Sequence, residues 1–186
     1  MKTISSIIIT LGVQLALFYS TQVVRAAGQM GPGATASEGV CTKKHDRFRN
    51  RETVTSAPQT VYKAGSDELK LGASAVIEGE NKAAPKEVDL LFDSTTSRLR
   101  YGNSAEVRFI IDGKRVEGGT AYKYGGEAMR QVKEKLRLTM SAARFLEISG
   151  GREVEMRIGD TEVTLSREDV KRLRDFATCA GISVVR

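Results

Sequence analysis

The chain has no tryptophan, one histidine, two cysteines and three prolines, and aromatic residues make up 6% of its 186 residues. Each scarcity removes a class of function. With so few rings, an aromatic platform for stacking sugars or bases is disfavoured. The single histidine, His45, stands in a basic stretch that reads as flexible, a poor setting for the base of a Ser-His pair. The nearest approaches to a nucleophile elbow, Gly72-Ala73-Ser74-Ala75-Val76 and Gly102-Asn103-Ser104-Ala105-Glu106, lack its second glycine. Cys41 and Cys179 are far apart, with no Cys-x-x-Cys or His-x-x-x-His spacing, so no metal site is expected. Both glycine-rich phosphate-cradling patterns are missing, and no cofactor is expected.

What is present begins with an export pattern. Residues 1–26 read as a secretory signal peptide: Lys2 supplies the charge, residues 7–18 the short apolar run, and Val24-Arg25-Ala26 a small-residue cleavage site. An uncleaved membrane anchor is the alternative, since residues 4–24 approach the length of a span. The net charge is +6, and loss of Lys2 and Arg25 leaves 27 basic against 23 acidic residues, or +4. That excess is mild for a nucleic-acid binder, which would show a clustered stripe. Export also gives the cysteines a meaning. An even count in an oxidising compartment predicts a Cys41–Cys179 disulfide, with two free thiols as the alternative.

Residues 27–52 read as a flexible leader, glycine-rich at first and then basic at Lys43, Lys44, Arg47, Arg49 and Arg51. A solvated tether explains those charges, and a contact patch for an anionic surface is the sharper reading. From residue 53 onward a single domain is expected. Residues 53–63 are β-branched but hold Pro58, which belongs at a sheet edge. Leu69, Leu71, Ala73, Ala75 and Ile77 alternate as in a half-buried strand, as do Val88, Leu90 and Phe92, then Val107, Phe109 and Ile111. Asp112-Gly113 marks a hairpin turn. Gly118-Gly119 and Gly125-Gly126 read as turns bounding short strands around Val116 and around Tyr122 and Tyr124. Residues 127–140 suit helix or strand, and the strict alternation of Leu136, Leu138 and Met140 decides for a strand over 131–140.

The last third is the clearest. Ser141 caps a short helix near 141–149, ended by Gly150-Gly151. Val154, Met156 and Ile158, the turn Gly159-Asp160, and Thr161, Val163 and Leu165 form a hairpin with one apolar face. Ser166 with Asp169 opens a helix near 167–179, with Val170, Leu173, Phe176 and Ala177 on one side. The expected class is therefore α+β, mainly antiparallel β and sandwich-like, with the terminal helix covering an edge or open face.

The segment from Phe145 to Ser166, continued by Asp169 to Ala177, is similar to the end of some uncharacterised exported bacterial proteins, and Asp112-Gly113-Lys114 resembles the hairpin that precedes it there. The resemblance covers about a third of the chain. It implies the hairpin and helix and a bacterial envelope setting, and it carries no activity and no functional residues.

Three functions follow from these features. The first is an exported, non-enzymatic binding or structural module that meets an envelope protein or anionic polymer through a sheet face or edge. The second is a hydrolase of an envelope polymer using carboxylates such as Glu155 and Glu162, although cross-strand pairing with Arg152, Arg157 and Arg167 explains those acids on a solvated face. The third is an inhibitor or immunity-type protein of a secreted enzyme. If the disulfide forms, Lys171, Arg172 and Arg174 could join Lys43 to Arg51 in one anionic-binding face. Membrane contact is expected only through an uncleaved N-terminus, and nucleic acid is disfavoured.

Overall fold

The computed structural model describes residues 41–79, 83–128 and 131–183; the expected signal peptide and the first part of the leader lie outside these. The described residues form strands β1 (Cys41–Asp46), β2 (Arg51–Ser56), β3 (Gln59–Ala64), β4 (Asp67–Glu78), β5 (Glu87–Thr96), β6 (Ser104–Ile111), β7 (Lys114–Ala128) and β8 (Val132–Ser141). Helix α1 (Ala142–Gly150), strands β9 (Val154–Ile158) and β10 (Thr161–Leu165) and helix α2 (Arg167–Cys179) complete the elements of the described residues. All pairings are antiparallel, in the order β1-β2-β4-β5-β8-β7-β6-β9-β10, with β3 also on β4. The class is α+β, as expected. The two stacked sheets of a sandwich are replaced by one continuous sheet, whose far strand β10 returns to lie beside β3.

Two long strands make that single sheet. β4 takes β3 along its first half and β2 along its second, so the chain across Pro58 is one edge strand broken at a kink. The break is tight: a side chain on Gly72 would stand 3.3 Å from the Pro58 Cα. β7 runs through both glycine pairs that read as turns. Gly118 lies where a Cβ would be 2.6 Å from the Val107 carbonyl, Gly119 has φ 115°, and the register slips here between Val107 and Arg108. A second slip falls between Lys123 and Gly125. These glycines lie at bulges inside a strand, where the Val107 carbonyl excludes a side chain at Gly118 and the Lys133 carbonyl one at Gly126.

The leader expectation changes at Cys41. Residues 41–46 pair with 51–56 from Cys41↔Ser56 to Asp46↔Arg51, so the basic second half of the expected leader is a hairpin. Among β1 residues Cys41 alone is buried, and an edge strand this charged shows almost no apolar alternation. Residues 132–141 are strand, with Leu136, Leu138 and Met140 turned inward.

One face of the sheet carries the core. α1 packs on β5, β6 and β8, and α2 on β2, β4 and β10. Ser141 caps α1 by accepting the Arg144 N–H at 3.2 Å, and Ser166 and Asp169 form a full capping box on α2. Phe145 and Phe176 meet edge to face between the helices at 5.7 Å. The opposite sheet face alternates outward and is largely exposed.

At the inward position before Leu136 stands a wholly buried carboxylate, Glu134. β5 and β6 are consecutive in the chain but separated by β8 and β7 in the sheet, so residues 97–103 must cross the ends of those strands. Glu134 meets this crossing. Its carboxylate accepts the backbone N–H groups of Arg100 (2.9 Å), Tyr101 (3.1 Å) and Gly102 (3.0 Å). The flanks are tied as well, Arg100 to Asp67 at 2.7 Å and the Tyr101 hydroxyl to Thr161 at 2.9 Å. Burial pushes the Tyr101 phenol above its ordinary pKa, against the hydrogen bond it shares with Thr161.

Asp112 does the same on a smaller scale. In the β6–β7 turn, with φ 48°, it accepts the N–H groups of Arg152 and Glu153 at 3.0 Å each and so docks the start of β9. The Glu153 and Arg152 amides hold its carboxyl below the usual range.

Replacing Glu134 by Ala leaves three donors without this acceptor, Tyr101 buried and Arg100 and Gly102 half-buried, and should cost about 3–5 kcal/mol in urea unfolding, with Glu134→Gln costing less. A loss under about 1 kcal/mol would show that the cradle is dispensable. For Asp112, the depressed folded pKa means a contribution complete above the unfolded value and lost as pH falls through the folded one. Asp112→Asn keeps the left-handed turn, so its urea midpoint should fall less between pH 5 and pH 2 than that of the parent.

Candidate functional site

Cys41 and Cys179 form the expected disulfide, with Cα atoms 6.7 Å apart across a sequence separation of 138. It joins the base of the β1–β2 hairpin to the last turn of α2. Lys171 and Arg172 lie near this base, where they and Leu173 face Ser56, Ala57, Gln59, Val61 and Leu71 across a groove of about 420 Å³. The basic residues of the hairpin lie along the strands that lead away from this base. Five residue steps of strand separate Cys41 from Asp46, roughly 17 Å at about 3.3 Å each, and the tip lies beyond. The bridge forms, yet it does not gather the eight basic residues into one face.

Ion pairing divides them further. Lys171 pairs with Asp175 at 2.6 Å and Arg172 with Glu168 at 2.6 Å, while Arg174 donates to the Ser149 carbonyl at 3.2 Å and ties α2 to α1. On the hairpin Lys43 pairs with Glu52 and Arg51 with Asp46, each at 3.6 Å. Lys44, Arg47 and Arg49 are exposed and have no ion pair among the described residues. Asp46 fixes the turn between them by accepting the N–H of Phe48 at 3.1 Å and of Arg49 at 3.3 Å. Asn50, with φ 44°, closes it.

A second cluster lies on the outward face of β5, β8 and β7; Lys133, Lys135 and Arg137 stand out in the sequence as basic residues, but their grouping with Tyr122 and Tyr124 does not. Arg137 of β8 stands opposite Tyr122 of β7 and Leu91 of β5. Its guanidinium lies 4.9 Å from the centre of the Tyr124 ring and 3.7 Å from Asp89, which also accepts from Thr139 at 2.6 Å. Tyr122 is 64% exposed and Tyr124 45%. Partial burial raises the Tyr124 phenol pKa, with Asp93 adding to the rise and Arg137 opposing it. The arrangement is an arginine held between an aromatic face and a carboxylate, beside a second open ring. The signal available in the sequence was Tyr122 and Tyr124 flanking Lys123 outside an inward Ala121. It was obscured by the reading of β7 as separate short strands.

The acids considered for hydrolysis stand in the open. Glu162 pairs with Arg157 at 3.9 Å on the exposed face, and Glu155 is exposed in the adjoining strand. His45 is exposed on β1 opposite Glu52. Among the described residues no three His, Cys, Asp or Glu side chains cluster as metal ligands would, and no helix is long and apolar enough to cross a membrane. Comparison with family models, with curated proteins and with solved structures finds no match to this chain.

Removing the bridge by Cys41→Ser with Cys179→Ser should lower unfolding stability by about 3–5 kcal/mol, the range expected for so long a loop. Chemical reduction of the parent should lower its urea midpoint to that of the double variant. A parent indifferent to reductant would mean that hairpin and α2 hold together without the bond.

Proposed function

We propose that this chain is an exported, non-enzymatic binding module of a bacterial envelope, and that it docks a folded protein on the outward face of β5, β8 and β7. The observation that carries the reading is the Tyr122–Tyr124–Arg137 cluster, two open rings and a held arginine with Leu91 opposite it. Tyrosine and arginine are the side chains that most often anchor protein interfaces. Arg137 is already held by Tyr124 and Asp89, so little of its freedom remains to be lost on binding. Export rests on the N-terminal pattern, and the disulfide supports it. Inhibition of a secreted enzyme is one form this docking could take. The exposed positions of Glu155 and Glu162 lend the hydrolase reading no cleft.

The test is site-specific photocrosslinking in envelope extracts. A crosslinker at position 122 should give one discrete protein adduct, and one at Glu155 should give none. Arg137→Glu should abolish the adduct, and Tyr124→Ser should weaken binding by about 2 kcal/mol, near thirtyfold. Equal adducts from both positions, or an adduct indifferent to Arg137, would remove the face from consideration.

A further inference from the structure

The hairpin tip carries a second surface, made from other residues on another element. Phe48 at its apex is fully exposed, with Arg47 and Arg49 on either side and Lys44 on the adjoining strand. A phenyl ring in water at the end of a turn has no structural work to do. The turn itself is held by other groups: the Asp46 carboxylate on the Phe48 and Arg49 amides, the left-handed Asn50, and the Gly79 N–H donated to the Asn50 carbonyl at 3.1 Å. Of the carboxylates nearby, Asp46 is engaged by Arg51 and those two amides, Glu52 pairs with Lys43, and Glu78 stands opposite Arg51. The tip is thus an apolar point beside three cations with no ion pair among the described residues.

We infer that this tip inserts into the interface of an anionic lipid bilayer. Phe48 would enter at the level of the acyl boundary, while Lys44, Arg47 and Arg49 remain among the phosphates. The geometry favours a bilayer over a folded partner. A projecting point offers too little area for a stable protein interface, which needs roughly 800 Å² from each side, whereas a deformable surface can receive a single ring. Charge supplies the specificity, since a basic residue near an anionic leaflet is attracted and the attraction decays within a Debye length. One ring and three cations give reversible binding rather than anchoring. The disulfide at the hairpin base keeps the tip fixed to the domain.

Because the chain has no tryptophan, Phe48→Trp in the full chain gives one fluorophore at the apex. Phosphatidylglycerol vesicles should shift its emission to the blue and permit quenching by brominated acyl chains. Phosphatidylcholine vesicles and a soluble polyphosphate should do neither. Adding Arg47→Gln and Arg49→Gln should raise the lipid concentration needed for half the shift by about thirtyfold, and about 1 M salt should remove the shift. Emission unchanged on anionic vesicles, or an equal shift on neutral ones, overturns the inference. An equal shift with polyphosphate also overturns it, in favour of a free anion. An apolar N-terminal segment adhering to lipid would not move this signal, and Tyr122 and Arg137 take no part in it.

Discussion

The contact on which the sheet depends is between the Glu134 carboxylate and three successive amides, those of Arg100, Tyr101 and Gly102. The strand order places β8 and β7 between β5 and β6, so the connecting segment crosses two strand ends over the core. A crossing of that kind brings peptide groups out of water without a neighbouring strand to pair with, and an unpaired buried donor costs about 1–3 kcal/mol. A carboxylate with two oxygens can take three donors where a neutral acceptor would satisfy fewer. The amides in turn compensate the charge that burial would otherwise penalise. Glu134 and the crossing segment therefore require one another. Asp67 and Thr161, from opposite regions of the sheet, then hold the Arg100 and Tyr101 side chains and carry the constraint to β4 and β10.

From that constraint follows a domain with one covered face. The helices lie over the inward residues of strands at both ends of the sheet, and the disulfide joins α2 to the edge hairpin, which by itself buries only Cys41 of β1 and Val54 of β2. An edge strand of lysines has little apolar area with which to hold its place. A covalent link does not depend on area. The other sheet face is left to charged pairs, and a cluster such as Arg137 with two tyrosines can occupy it without cost to the core.

What the sequence made legible was local. The β9–β10 hairpin, the capping box at Ser166, the strand through Leu136 and Leu138, and the pairing of two cysteines each depend on spacing within a few residues or on simple counting. The features it concealed depend on distant partners. Glu134 fits the inward alternation, but the amides that explain it lie 32 to 34 residues earlier. The glycines of β7 look like turns until Val107 and Lys133 are placed against them. β1 escapes because a charged edge strand leaves almost no periodic apolar trace.

The basic residues show why counting charge is a poor guide to a binding surface. Eight were candidates for one anionic-contact face, and as a set they differ little in sequence. In three dimensions, Lys43, Arg51, Lys171 and Arg172 have carboxylate partners and Arg174 is turned to a carbonyl. A cation with a neighbouring anion presents a dipole to an approaching surface, and its field fades faster with distance than that of a lone charge. Lys44, Arg47 and Arg49 keep their monopoles among the described residues because Asp46, the acid beside them, is occupied in folding the turn. The residue that shapes the tip is thus also the one that leaves its cations unopposed.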